Sequence, residues 1–244
     1  MHRLLVQSDA IETDCVVLPS DAAHHLKVIR PKPGEAIELF DGAGHSRLYR
    51  CGDTAASPLL ASGAISYSPP LPIHLTLFAC VTKGSRWDWT IEKATELGVS
   101  RIVPVLSDRC IVRISSEERA AKRDRWRRIA EEAVRQSDAL WLPEIREAVD
   151  FRDALEQVKA CACFVGALTA PPPKPLLSAL QDRLRADATA RSFGLFVGPE
   201  GDFTPDELAS LLKIAVPTNF GPTILRAETA AIFGLSVLVA AVRG

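Results

Sequence analysis

Apolar and polar positions alternate in short runs along the first 70 residues. Arg3 to Gln7, Cys15 to Leu18, Ala36 to Phe40 and Arg47 to Cys51 each read as a strand, separated by turn residues. Ser68-Pro69-Pro70-Leu71-Pro72 then breaks the pattern, and prolines at that density favour an extended linker. The boundary placed there gives a small β-rich domain over 1–70 and a larger domain over 71–244.

Beyond the linker, strand and helix patterns alternate. Ile73 to Val81 is expected as a strand, Trp87 to Leu97 as a helix stopped by Gly98, and Arg101 to Leu106 as a strand. Ser116 to Gln136 reads as a long charged helix with Glu117 and Glu118 at its positive end. Leu142 to Ile145 is expected as a short strand, Phe151 to Val158 as a short helix and Ala160 to Gly166 as a strand. A proline-rich loop at 171–175 leads to a helix over Leu176 to Leu184 and a strand over Phe193 to Val197. Thr204 to Leu212 as helix, Ile214 to Phe220 as strand and Leu225 to Val242 as helix complete the chain. This rhythm predicts an α/β domain around a mainly parallel sheet.

Composition narrows the function classes. The 244 residues, 47% hydrophobic and 24% charged, suit a soluble globular protein with a substantial core. The net charge of -1 means that any nucleic-acid-binding surface is a local one. The apolar run near Met1 is too short for a secretory signal, and Thr229 to Val242 is too short to span a bilayer. The cysteines form no Cys-x-x-Cys pair and no zinc spacing, so no metal is expected and reduced thiols in the cytoplasm are. Cys161 and Cys163 lie two apart on a strand pattern, which puts both thiols on one face.

Glu38 to Ser46 carries a Gly-x-Gly after an apolar strand, as a dinucleotide-binding loop does. No helix follows it. Ser46 to Cys51 alternates, so Asp41-Gly42 is expected to turn a β-hairpin instead.

Two other turns look more like a site. Gly198-Pro199-Glu200-Gly201 follows the apolar strand ending at Val197, at the carboxyl edge of the sheet, where open α/β folds bind ligands. The glycines leave main chain uncovered, Pro199 stiffens the tip, and Thr204-Pro205 reads as the N-cap and first position of a helix. Asn219 to Ala231 repeats the arrangement, with Gly221-Pro222 before a helix start flanked by Arg226 and Glu228. Each turn alone is equally a plain connection, and Arg226 with Glu228 equally a surface ion pair. Two such turns, each with a carboxylate, also suffice to wall one pocket.

Seven segments together carry a specific resemblance: HHLKVIRPKPGE (24–35), LFDG (39–42), KGSRWDWTIEKATELGV (83–99), DRCIVR (108–113), EEAVRQS (131–137), GPEGDFTPDE (198–207) and ILRAETA (224–230). In this order, across nearly the whole chain, they resemble the RsmE family of ribosomal RNA uridine-N3 methyltransferases, in the SPOUT superfamily. The resemblance implies an N-terminal PUA-like β-barrel that binds RNA and a C-terminal α/β domain with a trefoil knot, an exception to the rule against threaded chains. It implies S-adenosylmethionine held by three loops: Leu168 from the first, Val197, Gly198, Pro199, Glu200 and Gly201 from the second, and Phe220, Gly221, Ile224, Leu225, Arg226 and Ala230 from the third. It implies 16S ribosomal RNA of the assembled small subunit as substrate, with a homodimer built on Thr229 to Val242. The chain departs from the family pattern at Asp202, where a glycine is usual, at Thr223, where a basic residue is usual, at Ala227, where threonine is usual, and at Asp138-Ala139, where an arginine is common.

The chemistry this implies is modest in its demands. Uracil N3 must lose its imide proton, while a sulfonium methyl is already activated, so positioning and anion stabilisation are the protein's tasks. Arg226, cationic at any working pH, is the candidate for the anion, and Glu200 or Glu228 for assisting deprotonation or orienting the arginine, the residues alone not ranking the two. Lys83, Arg86, Arg109 and Arg113 at predicted strand ends, with Arg3, His24, His25 and Arg30 in the small domain, are the expected RNA contacts. The alternatives are a non-catalytic RNA-binding or ribosome assembly protein and a knotted ribose 2′-O-methyltransferase.

Overall fold

A computed structural model describes residues 1–54, 57–158 and 161–243. Two compact units divide the chain. One comprises Met1–Pro70 with Val134–Leu142, the other Leu71–Ala133 with Pro143–Gly244. The boundary expected at the proline-rich linker assigns 134–142 to the larger domain instead.

The first unit contains β1 (His2–Leu5), α1 (Ser8–Glu12), β2 (Cys15–Val16), α2 (Ser20–Ile29), β3 (Ala36–Phe40), β4 (His45–Arg50), β5 (Leu59–Ala61) and β6 (Ser66–Tyr67). Its sheet runs β1-β3-β4-β5-β2 with β6 on β4, and only β1–β3 is a parallel pair. Leu4, Leu26, Ile37, Leu39, Tyr49 and Leu59 form its core. The fully buried Tyr49 keeps a partner for its hydroxyl by donating to the Thr13 carbonyl at 2.9 Å. The Gly-x-Gly is indeed a hairpin: β3 and β4 pair antiparallel, with Phe40 opposite Ser46. Gly42 and Gly44 take φ of 73° and 94°, which glycine adopts without strain. The Asp41 carboxylate accepts the backbone N–H of Ala43 at 2.7 Å and of His45 at 3.1 Å. Burial pushes the Asp41 carboxyl up, but these amides, the His45 ring and Ser8 outweigh it and hold it below the usual value.

Two helices here were not expected. In α2, Ala22, Leu26 and Ile29 form the inward stripe, and Arg30 closes the helix in the left-handed region at φ 52°.

The second unit contains β7 (His74–Cys80), α3 (Ser85–Glu96), β8 (Arg101–Leu106), α4 (Ser116–Gln136), β9 (Glu144–Ile145), β10 (Val149–Asp150), α5 (Phe151–Glu156), β11 (Ala162–Gly166), α6 (Leu176–Ala186), β12 (Ser192–Val197), α7 (Pro205–Leu211), β13 (Ala215–Thr218) and α8 (Ala227–Arg243). The last residues of α4 belong to the first unit. All pairings of the sheet, ordered β10-β8-β7-β12-β11-β13 with β9 on β8, are parallel. The alternating α/β pattern is therefore realised as expected. Ala160, the expected start of β11, lies outside the described residues, and β13 is shorter than the run Ile214 to Phe220.

The Phe78 and Phe196 rings stack at 4.4 Å across β7 and β12. Gly194 on β12 leaves room for both thiols of the Cys161-x-Cys163 pair: a Cβ there would stand 2.3 Å from Cys163 Sγ and 3.2 Å from Cys161 Sγ. Gly234 likewise lets α8 approach β12, since its Cβ would meet Leu195 at 2.5 Å. A reciprocal capping box starts α7: Glu207 N–H donates to Thr204 Oγ1 at 3.2 Å and Thr204 N–H to Glu207 Oε2 at 2.8 Å. Among the described residues no helix is long and apolar enough to cross a membrane.

Candidate functional site

Three neighbouring strands, β12, β11 and β13, end side by side, and the loops that leave them wall a cavity of about 280 Å³. Gly166, Ala167 and Leu168 come from the first loop, Val197 to Glu200 with Asp202 from the second, and Thr218 to Gly221 with Thr223 to Ala227 and Ala230 from the third. Every residue expected to hold the cofactor lines it except Gly201, which sits behind the turn against the Arg109 side chain. Thr218 anchors the third loop by donating to the Val165 carbonyl at 3.1 Å. Gly166 lets the Phe220 ring approach the end of β11, because a Cβ would stand 2.7 Å from it.

The turn after β12 is held from within. Asp202 N–H donates to the Pro199 carbonyl at 2.9 Å, and Asp202 stands at φ 60°. The left-handed residue of this turn is thus Asp202, the position where the related pattern has glycine, and neither Gly198 nor Gly201 has a positive φ. Gly198 is favoured for a different reason: a Cβ would crowd Asp202 Oδ1 at 3.1 Å and the Phe203 ring at 3.3 Å.

Charge is distributed unevenly around the cavity. Arg226 is exposed at its edge, and among the described residues its guanidinium makes no hydrogen bond or ion pair. The Arg226–Glu228 ion pair is therefore not formed. Glu228 does not line the cavity and faces Arg86 on α3, whose Nε is 3.9 Å from Glu228 Oε1. Arg86 also donates from Nη1 to Glu200 Oε1 at 3.2 Å. Nothing in the sequence pattern announced this link between α3, the turn after β12 and the start of α8.

The cations read as RNA contacts divide into two groups. Lys83, His24 and Arg30 are exposed and His25 is half-buried. Arg109 and Arg113 are exposed but also brace loops, Arg109 donating to the Gly201 carbonyl at 2.9 Å and Arg113 to the Asp108 carbonyl at 2.8 Å. Arg3 requires correction. It is 6% exposed, its Nε donates to Glu38 at 2.6 Å, its other nitrogens donate to the carbonyls of Val134 and Ala139, and it stacks over Phe40 at 4.5 Å. A guanidinium so enclosed is a strut of the first unit and not a phosphate contact. Among the described residues no cluster of His, Cys, Asp or Glu could hold a metal ion.

The RNA methyltransferase domain family matches residues 69–239, which include all three cavity loops. A ribosomal RNA small subunit methyltransferase E from Mycobacterium tuberculosis is 31% identical over 91% of this chain and 85% of its own. Among solved structures, the ribosomal RNA small subunit methyltransferase E of Neisseria gonorrhoeae bound to S-adenosyl methionine superposes with a TM-score of 0.85, at 27% identity, over 98% of this chain and 96% of that one. A putative methyltransferase from Legionella pneumophila in complex with the same cofactor gives 0.81 at 26% identity, covering 98% and 97%. With the cavity at the carboxyl ends of parallel strands and these relatives matched along almost the entire chain, the protein belongs to the RNA methyltransferase family, among the ribosomal RNA small subunit methyltransferase E proteins.

Proposed function

We propose that this chain is an S-adenosylmethionine-dependent methyltransferase that methylates N3 of a uridine in 16S ribosomal RNA of the small subunit. The observation that carries the reading is the convergence of two glycine-proline turns on one cavity with a carboxylate, Glu200, in its wall and a free cation, Arg226, at its edge. The residues fit the cofactor. Leu168, Phe220, Ile224 and Leu225 offer apolar surface to a flat base, while Gly166, Gly198 and Gly221 bring main chain to the cavity without side chains. Bound there, S-adenosylmethionine supplies a methyl group already activated on a sulfonium, so the reaction needs no metal.

Arg226 stabilises the negative charge that develops on the uracil, from a position where, among the described residues, no carboxylate pairs with it. Of the two carboxylates, Glu200 is the better placed to take the N3 proton, because it lines the cavity and Glu228 does not. Glu200 would accept the N3 proton, leaving the N3 electron pair free for the methyl group that bound S-adenosylmethionine would supply. The uracil leaves its stack first, at a cost of a few kcal/mol.

Finer features of the reading rest on the resemblance: a trefoil knot in the C-terminal α/β domain, a PUA-like barrel in the first unit that binds RNA through His24, His25 and Arg30, and a cytoplasmic homodimer built on α8. Light scattering at micromolar concentration tests the dimer, and a monomer mass rejects it. Calorimetry tests the cofactor: wild type binds S-adenosylmethionine and Gly198→Val, folded but with its turn displaced, does not. Primer extension on small subunits from cells lacking the protein tests the target. An N3 methyl blocks Watson–Crick pairing, so one reverse-transcription stop disappears. An unchanged stop pattern rejects the assignment.

A further inference from the structure

Arg86 stands between the two carboxylates of the site, 3.2 Å from Glu200 through Nη1 and 3.9 Å from Glu228 through Nε. The two acids differ in what surrounds them. Glu200 lies in the cavity wall on a turn flanked by Pro199 and Gly201, and Arg86 is the one ion pair it makes among the described residues. Glu228 is on the first turn of α8, its side chain 12% exposed, with Oε2 buried and, among the described residues, without a hydrogen-bond partner. At 3.9 Å the contact is an ion pair and not a hydrogen bond, but a carboxylate so enclosed favours a cation close by, because losing it leaves the charge uncompensated.

We propose that Arg86 is a positioning residue for methyl transfer, anchored by Glu228 and holding the Glu200 carboxylate at the cavity wall to receive the uracil N3 proton. This rests on the reading of Glu200 given above. The planar guanidinium suits the task, since its Nε and Nη1 present donors in two fixed directions, whereas an ammonium offers a single point charge. Arg86 is itself fixed in the first turn of α3, where its carbonyl accepts the Thr90 hydroxyl at 2.9 Å. Lys83, exposed on the loop before α3, takes no part in this three-residue arrangement.

The proposal separates Arg86 from an RNA-phosphate contact, and kinetics distinguish the two. Arg86→Ala, Arg86→Lys, Glu200→Gln and the Arg86→Ala/Glu200→Gln double variant are assayed in single turnover on small subunits at saturating cofactor. Thermal melts and S-adenosylmethionine calorimetry run beside them. Misplacement of one reacting group predicts a ~10- to 100-fold loss of the saturated rate in Arg86→Ala. KM for subunits and cofactor affinity stay as in wild type, Tm falls only as far as the charge uncovered on Glu228 requires, and Arg86→Lys recovers part of the rate. The double variant is no slower than Glu200→Gln, as expected of groups that act as one unit. A raised KM with an unchanged saturated rate overturns the proposal in favour of phosphate binding, and multiplicative losses in the double variant overturn it as well. If Glu200→Gln keeps the full rate, the reading of Glu200 falls and the proposal with it. If Glu200→Gln is slow and Arg86→Ala is not, the proposal alone falls.

Discussion

The Asp202 side chain accepts the backbone N–H of Phe203 at 2.7 Å while its own backbone stands at φ 60°. Asp and Asn tolerate the left-handed region better than other residues with a Cβ, because a short polar side chain bonds locally there. An aspartate therefore suits the position at which the resemblance implies glycine. Asp202→Ala, which keeps the Cβ and loses the hydrogen bond, is expected to cost about 1–2 kcal/mol. Asp202→Gly loses the bond but relieves the backbone, and is expected to stay within about 1 kcal/mol of wild type. Urea unfolding of the two variants checks this, and equal losses would reject the strain argument.

Arg226→Ala is expected to lower the saturated single-turnover rate by ~10²–10³. Tm stays at the wild-type value, because the guanidinium is exposed and has no ion pair among the described residues. Arg226→Lys recovers little of the rate if the planar fork is what meets the base edge. A melt that drops with normal turnover would make Arg226 structural.

For Arg3→Ala the expectation is reversed. Its removal leaves Glu38 without its 2.6 Å partner and two buried-side carbonyls without donors. Breaking such a pair costs about 3–5 kcal/mol. Differential scanning calorimetry reads this as a lowered transition, and an unchanged thermogram would return Arg3 to the list of RNA contacts.

The hairpin acid predicts a pH effect. Asp41 is held below its usual value, so the folded state binds its proton less readily than the unfolded chain does. The stability it contributes is fully present above the unfolded value of about 3.9 and is lost as pH falls through the lower folded value. Asp41→Asn is therefore expected to be less stable than wild type at neutral pH, with the difference shrinking below about pH 4. A difference that is constant from pH 7 to pH 3 would exclude the linkage.

The elements legible in the sequence were those with a long, uninterrupted period. Arg101–Leu106 and Ser116–Gln136 were read to their ends because one is a continuous apolar run and the other a long charged helix. Helix α2 was overlooked because His24, His25 and Lys27 fill the gaps in its stripe, and β10 because two residues carry no period. The cavity residues were legible through motif resemblance, since no periodicity brings Leu168, Glu200 and Ile224 to one place. The Arg86–Glu200 contact was out of reach for a different reason. The residues are 114 apart, on separate elements, and each alone looks like an ordinary surface charge.

The division of the chain has a consequence for how the protein can be taken apart or recombined. The polypeptide passes from one unit to the other at 70–71, again at 133–134, and back at 142–143. A fragment beginning at Leu71 keeps the stretch Val134–Leu142 but deletes Arg3 and Ser68. The carbonyls of Val134 and Ala139 and the indole N–H of Trp141 then lose the groups they bond. The proline-rich linker marks a change of architecture without marking a place to cut. A gene exchange at that linker would carry a foreign Val134–Leu142 along with the second unit, so the two parts are inherited as a matched pair and not as interchangeable cassettes.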